Sequence, residues 1–199
     1  PTTCGSGSES TNFFVLYNGT QKKSLKSDYI LPKTILLDHN NLLGLSQENL
    51  ISSFLDALSQ SIESYWSINS TIESRLYSFE ALENLIKSKD KLLDYDLSSL
   101  KYAQKGANLA GRAINISKTT APHAFSYYFN RYNIPHGIAV NITTPYFIDQ
   151  ISDNASNKLR LELDSLSKKI IGAEFKFFGN FYRTILQQFN NISIQEFKK

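Results

Sequence analysis

The chain has 199 residues, a formal net charge of +3 and one cysteine. That length allows one large hydrophobic core or two small ones. The small charge, without a Lys/Arg block, argues against a nucleic-acid partner; a lone cysteine excludes an internal disulfide framework; and no run of about 18 apolar residues offers a membrane span. A soluble protein of a reducing, cytoplasmic compartment is expected, with neither nucleic acid nor membrane as a partner. There is no methionine, no signal peptide, and the first residues are Pro1-Thr2-Thr3, so an internal fragment of a longer gene product is expected. The Asn-x-Ser/Thr triplets, as at Asn18, Asn69, Asn115, Asn141 and Asn191, read as the product of an Asn- and Ser-rich composition.

Residues 1–45 read differently from the rest. Phe13-Phe-Val-Leu-Tyr17 and Thr34-Ile-Leu-Leu-Asp38 are short apolar runs bounded by Gly, Pro and Asn, and predict strands, with a turn at Asn18-Gly19. From Ser46 onward the period is helical. Leu50, Ile51, Phe54, Leu55, Leu58, Ile62 and Tyr65 recur at helical spacing. Ser70 with Glu73 resembles a capping box and predicts a second helix to about Ile86. Asp96 is placed to cap a third, running to about Ile114. Pro122 and Pro135 suit first turns, which predicts helices near 120–131 and 135–152, with two more at about 157–171 and 174–189. The boundary falls near Ser46: an α/β layer in 1–45, then an all-helical domain over 46–199.

Asp56 and Gln60 lie four apart on the first long helix and project from one face, with Glu63 continuing that polar stripe. Carboxylate or amide oxygen together with neutral imidazole nitrogen suits iron(II) or zinc. From spacing alone, a solvated helix face is the more common reading of such a stripe. Three histidines occur, and two of them, His123 and His136, follow a proline at a predicted helix start. His39 has no such context.

Several stretches in order along residues 1–147 resemble the iron-containing (group III) alcohol dehydrogenases: Pro1-Thr-Thr-Cys-Gly-Ser-Gly-Ser-Glu9, Leu31-Pro-Lys-Thr-Ile-Leu-Leu-Asp38, Asp56-Ala-Leu-Ser-Gln-Ser-Ile-Glu-Ser-Tyr-Trp66, Ala110-Gly-Arg-Ala113 and Ile134-Pro-His-Gly137. The resemblance implies a mainly α fold: the all-helical C-terminal domain of a dehydroquinate-synthase-like, iron alcohol dehydrogenase architecture, preceded by a remnant of the α/β dinucleotide-binding domain. It also implies that the C-terminus stops short of the family's last helices. Asp56, His123 and His136 fall on three of the family's metal-ligand positions, and Gln60 falls where most members have His. Gln offers a neutral carbonyl oxygen in place of imidazole nitrogen, so weaker transition-metal binding is implied.

The resemblance further implies a nicotinamide cofactor, NADH or NADPH, contacted by Thr2, Thr3, Gly5 and Ser6, with Fe2+ or Zn2+ as the metal. The family's main pyrophosphate-binding glycines are absent, so the chain alone is not expected to bind the cofactor well or to be active. Gln60-Ser-Ile-Glu-Ser-Tyr-Trp-Ser-Ile-Asn-Ser-Thr71 and Ala113-Ile-Asn-Ile-Ser-Lys-Thr-Thr-Ala-Pro-His123 resemble the phosphonoacetaldehyde reductase branch, where Gln at the position of Gln60 is usual. The reaction implied is reduction of an aldehyde to a primary alcohol. A phosphonate needs cationic or multi-donor contacts, for which Lys118, with Asn115 and Thr119, is the candidate; a surface lysine among helix-capping hydroxyls is the competing reading. Arg112 is a weaker second candidate. Two other functions stay open: a general dehydrogenase of uncharged short alcohols and aldehydes, and a non-catalytic helical assembly module. Dimers are common in the family, so a homodimer is a further expectation.

Overall fold

The computed structural model describes residues 1–18 and 21–189. Among them are two strands and seven α-helices: β1 Phe13–Asn18, β2 Gln21–Lys26, α1 Gln47–Trp66, α2 Ile72–Ser88, α3 Leu97–Ser117, α4 Ala121–Phe129, α5 His136–Asn154, α6 Asn157–Ile171 and α7 Phe178–Phe189. The mainly helical expectation holds. No helix among the described residues is long and apolar enough to cross a membrane. Gly19, at the predicted Asn18-Gly19 turn, lies outside the described residues, as does Asn191.

The hairpin pairs β1 and β2 antiparallel, with Phe13 opposite Lys26 and Asn18 opposite Gln21. Thr34–Asp38, predicted as a strand, is unpaired chain. Its apolar side chains find no ladder: Leu36 points to solvent, and without a partner strand the apolar run has no sheet to join.

α1 is the centre of the domain, packed against α2, α3 and α5. Ser46 caps it by accepting from the Asn49 amide, the usual role of Ser at this position. Leu50, Phe54, Leu58 and Ile62 bury one stripe of α1 against the core. The second helix starts one residue later than the Ser70–Glu73 pairing predicts. Thr71 and Ser74 form the reciprocal capping box, while Ser70 instead accepts from the Arg75 guanidinium. Asp96 caps α3, as expected, by accepting from Ser99 N–H at 2.8 Å. Pro135 is the N-cap of α5, with His136 as its first residue.

Two close backbone approaches position the functional half. A Cβ on Gly137 would stand 1.8 Å from the Ser52 carbonyl oxygen, so only glycine lets the start of α5 lie flat on α1. Gly7, at φ +56°, meets Gly111 of α3 in the same way, which seats the N-terminal loop on the helical domain. At the other end of α1, Ser67 Oγ donates to the Ser117 carbonyl at 2.7 Å. That clip aligns the C-terminal ends of α1 and α3, so the chain leaving α3 re-enters beside Glu63.

Candidate metal centre

Three helices converge on one point. α1 brings Asp56 and Gln60, α4 brings His123 in its first turn, and α5 begins with His136. One ligand atom from each of Asp56, His123 and His136 lies within 4.8 Å of the others. Asp56 Oδ1 stands 3.1 Å from His123 Nε2 and 3.7 Å from His136 Nε2. The two imidazoles face each other edge to plane, with centroids 5.5 Å apart. Asp56 and His123 are buried, whereas the His136 side chain is 45% exposed, so the site opens to solvent past His136. Tyr127 stacks on the His136 ring, with centroids 6.5 Å apart.

Gln60 decides whether these residues suit a cation. Its side chain is buried, yet Oε1 has no hydrogen-bond partner. A buried carbonyl left unpaired costs about 1–3 kcal/mol; the Gln60 side chain also hydrogen-bonds Asp56, so a divalent cation held by Asp56, His123 and His136 would offer that oxygen a partner. Carboxylate oxygen, two imidazole nitrogens and an amide oxygen form a donor set of borderline hardness, suited to iron(II) or zinc. The residues fit the metal.

In the sequence Glu63 is only the continuation of a polar stripe, but in the fold it is central. Its side chain has no exposed surface. Oε1 is 2.5 Å from His123 Nδ1 and accepts from Ser59 Oγ at 2.8 Å. Oε2 accepts from the Thr120 amide at 2.6 Å and from its hydroxyl at 2.9 Å. Helical spacing alone does not reveal this role; the clue available was an acidic residue in line with Asp56 and Gln60 on a helix otherwise rich in buried apolar positions.

The electrostatics follow from this enclosure. Burial alone pushes the His123 pKa down, but the Glu63 charge and the hydrogen bonds to Asp56 and Glu63 prevail and raise it to about 10. Burial would raise Asp56, but the hydrogen bond from His123 and then the His136 charge hold its carboxyl below the ordinary range. Glu63 is likewise pushed up by burial and brought lower by the His123 charge. A cation has to displace the proton of His123 at Nε2 to bind there.

The N-terminal loop lies alongside. Cys4 is buried, with Sγ 3.4 Å from Ser53 Oγ, and Gly5 packs against Ser53, one helical turn before Asp56. Thr2, Thr3 and Ser6 are exposed on that loop. Lys118 ends α3 at φ 63°, ψ 171°, a region nearly reserved for glycine. Its ammonium donates to the Asn115 carbonyl at 3.1 Å and lies 3.9 Å from the centre of the Phe13 ring. Burial, then the nearby Lys26 charge, lowers the Lys118 pKa. The Asn115 side chain accepts from the Asn12 amide at 2.9 Å, and Arg112 lies over the Tyr77 ring. Asp56, Gln60, His123 and His136 are thus one cluster; Lys118 and Asn115 meet each other at the end of α3, against the N-terminal arm.

A helical domain that gathers one carboxylate, one amide and two imidazoles from three helices offers the donor set that a single divalent cation would need. The profile of the Fe-containing alcohol dehydrogenase family, C-terminal part, matches residues 50–174, and the chain belongs to that family. Among its relatives is the phosphonoacetaldehyde reductase of Streptomyces viridochromogenes, 34% identical over 148 residues, which cover 72% of this chain and 38% of that protein. The 4-hydroxybutyrate dehydrogenase of Clostridium kluyveri is 32% identical over 146 residues, covering 70% of this chain and 39% of that protein. Among solved structures, the sulfoacetaldehyde reductase from Bifidobacterium kashiwanohense in complex with NAD+ superposes with a TM-score of 0.87 at 25% identity, over 96% of this chain and 51% of that one. The chain therefore spans about half, or less, of the length of the proteins it matches.

Proposed function

We propose that this chain is the metal- and substrate-holding part of an NAD(P)H-dependent reductase that converts phosphonoacetaldehyde to 2-hydroxyethylphosphonate. The observation that carries the reading is the convergence of Asp56, His123 and His136, with Gln60, whose buried oxygen has no hydrogen-bond partner among the described residues, bonded to Asp56. In this reading Asp56, Gln60, His123 and His136 hold the metal. Fe2+ or Zn2+ supplies a Lewis acid for the aldehyde oxygen, and the reduced nicotinamide supplies the hydride. Asp56 brings the one negative charge of the ligand set. His136, on the solvent side, orients the open face of the site. Residues 1–45 are assigned to the edge of the cofactor domain, with Thr2, Thr3, Gly5 and Ser6 facing the nicotinamide dinucleotide.

The substrate class is supported by the names of the relatives. Phosphonoacetaldehyde, sulfoacetaldehyde and 4-hydroxybutyrate are all short molecules with an anionic end. Lys118, close enough to Lys26 for that charge to lower its pKa, is assigned to the phosphonate, with Thr119 and Asn115 beside it. The test uses the Co2+-loaded chain, whose visible spectrum reports ligands that reach the metal. It is titrated with 2-hydroxyethylphosphonate and, separately, with ethanol. The phosphonate is expected to saturate the spectral change at far lower concentration. Lys118→Ala should weaken its binding about tenfold or more, the worth of a hydrogen bond to a charged group. Equal binding of the two alcohols contradicts the phosphonate assignment, and a Lys118→Ala chain that binds like wild type removes Lys118 from it.

A further inference from the structure

Glu63 is a fully buried carboxylate that the ligand set leaves unused. Its surroundings are all donors. Ser59 Oγ and His123 Nδ1 meet Oε1, and the Thr120 amide and hydroxyl meet Oε2. The direction of one of these bonds is fixed from further out. Trp66 Nε1 donates to Thr120 Oγ1 at 2.9 Å, and an indole N–H is only ever a donor. Thr120 Oγ1 is therefore the acceptor of that bond and turns its own proton to Glu63. A carboxylate so surrounded has no reason to carry a proton, and an ionised carboxylate only accepts. The ring nitrogen facing it must then be the N–H.

We propose that Glu63 is a positioning residue that locks His123 as its Nδ1–H form, aiming the lone pair of Nε2 at the metal beside Asp56, and that Thr120 and Trp66 hold Glu63 in register. The proposal rests on the metal reading above and adds to it the part that selects the ligand nitrogen. It also accounts for the shared wiring of α1, α4 and α5: Ser59, which donates to Glu63, lies 3.0 Å from Thr144 of α5. Each helix of the centre thereby reaches the orienting carboxylate or a residue that binds it.

The test measures Zn2+ affinity by competition with a chelating dye, for the wild-type chain and for Glu63→Gln, Thr120→Val and Trp66→Phe. Glutamine keeps the shape of Glu63 but brings an NH2 group to face donors. Affinity is expected to fall about 10–100-fold in Glu63→Gln, the usual effect of losing an orienting partner of a metal-bound histidine. The fall should be smaller in Thr120→Val and smallest in Trp66→Phe. A second measurement needs no variant: nitrogen NMR of the 15N-histidine chain loaded with Zn2+ should show His123 protonated at Nδ1 and metal-bound at Nε2. Unchanged affinity in Glu63→Gln, or His123 bound through Nδ1, overturns this proposal and leaves the metal reading standing. A wild-type chain that takes up no Zn2+ overturns the metal reading and this inference with it.

Discussion

The middle of α1 and the hairpin of the N-terminal arm depart from the rule of apolar inside and polar outside, in opposite directions. In α1, Ser59, Ser61, Glu63 and Ser64 are fully buried. In the hairpin, Phe14, Leu16 and Leu25 are exposed. The α1 residues tolerate burial because their polar atoms are partnered: Ser61 donates to the Ala57 carbonyl, Ser64 meets Ser117, and Ser59 and Glu63 meet each other. Satisfied polar burial is costly to disturb, since losing one partner strands the other. Among the described residues β1 and β2 are each other's sole sheet neighbours, and the hairpin's apolar side chains contribute little where they are not covered. One region should thus be brittle to small chemical changes and the other indifferent to large ones.

The sharpest break is His123→Ala. It leaves the Asp56 and Glu63 carboxylates buried without the imidazole between them. Removing one member of a buried charged cluster costs about 3–5 kcal/mol. Urea unfolding of the metal-stripped chain should show a loss of that size, and a loss below about 1 kcal/mol would contradict the brittle reading of the centre.

A milder effect should follow pH. The folded pKa of His123, about 10, lies above its ordinary 6.5. The stability it contributes is therefore complete below pH 6.5 and is lost as pH rises toward 10. Asp56 and Glu63 have folded pKa values below their ordinary 3.8 and 4.5, so their share is present above those ordinary values and is lost as pH falls through the lowered ones. The metal-stripped chain should be most stable between the two limits and should weaken steadily on the alkaline side. Unfolding curves that coincide from pH 6.5 to pH 9 would contradict the imidazole–carboxylate arrangement.

The smallest effect belongs to the hairpin. Leu16 is 50% exposed and Leu25 46%. Leu16→Ser or Leu25→Ser should change stability by no more than about 0.5 kcal/mol, the usual range for surface substitutions. A thermal-melting shift as large as that of His123→Ala would erase the contrast between the two regions.

Much of this was legible in the sequence where a local signal had one physical meaning. Asp96 before an amphipathic run capped α3, and the Leu50–Phe54–Leu58–Ile62 stripe formed the core face of α1. Residue type, helix spacing and family resemblance single out Asp56, Gln60, His123 and His136; the fold brings Asp56, His123 and His136 together, with Gln60 bonded to Asp56. What failed depended on partners that a linear reading does not contain. Thr34–Asp38 has the composition of a strand but pairs with none among the described residues, whereas Gln21–Lys26, too polar to stand out, pairs with β1. Thr71 outcompeted Ser70 as a cap because Ser74 could answer it and Glu73 did not. Glu63 was invisible as an orienting residue because His123, Thr120 and Trp66 come to it through tertiary contact.

X-ray absorption at the zinc edge of the chain loaded with one equivalent of Zn2+ tests the centre most directly. The account predicts stoichiometric retention and a first shell of oxygen and nitrogen that includes two imidazoles, reduced to one imidazole in His136→Ala. A first shell without imidazole scattering, or a spectrum unchanged in His136→Ala, would contradict it.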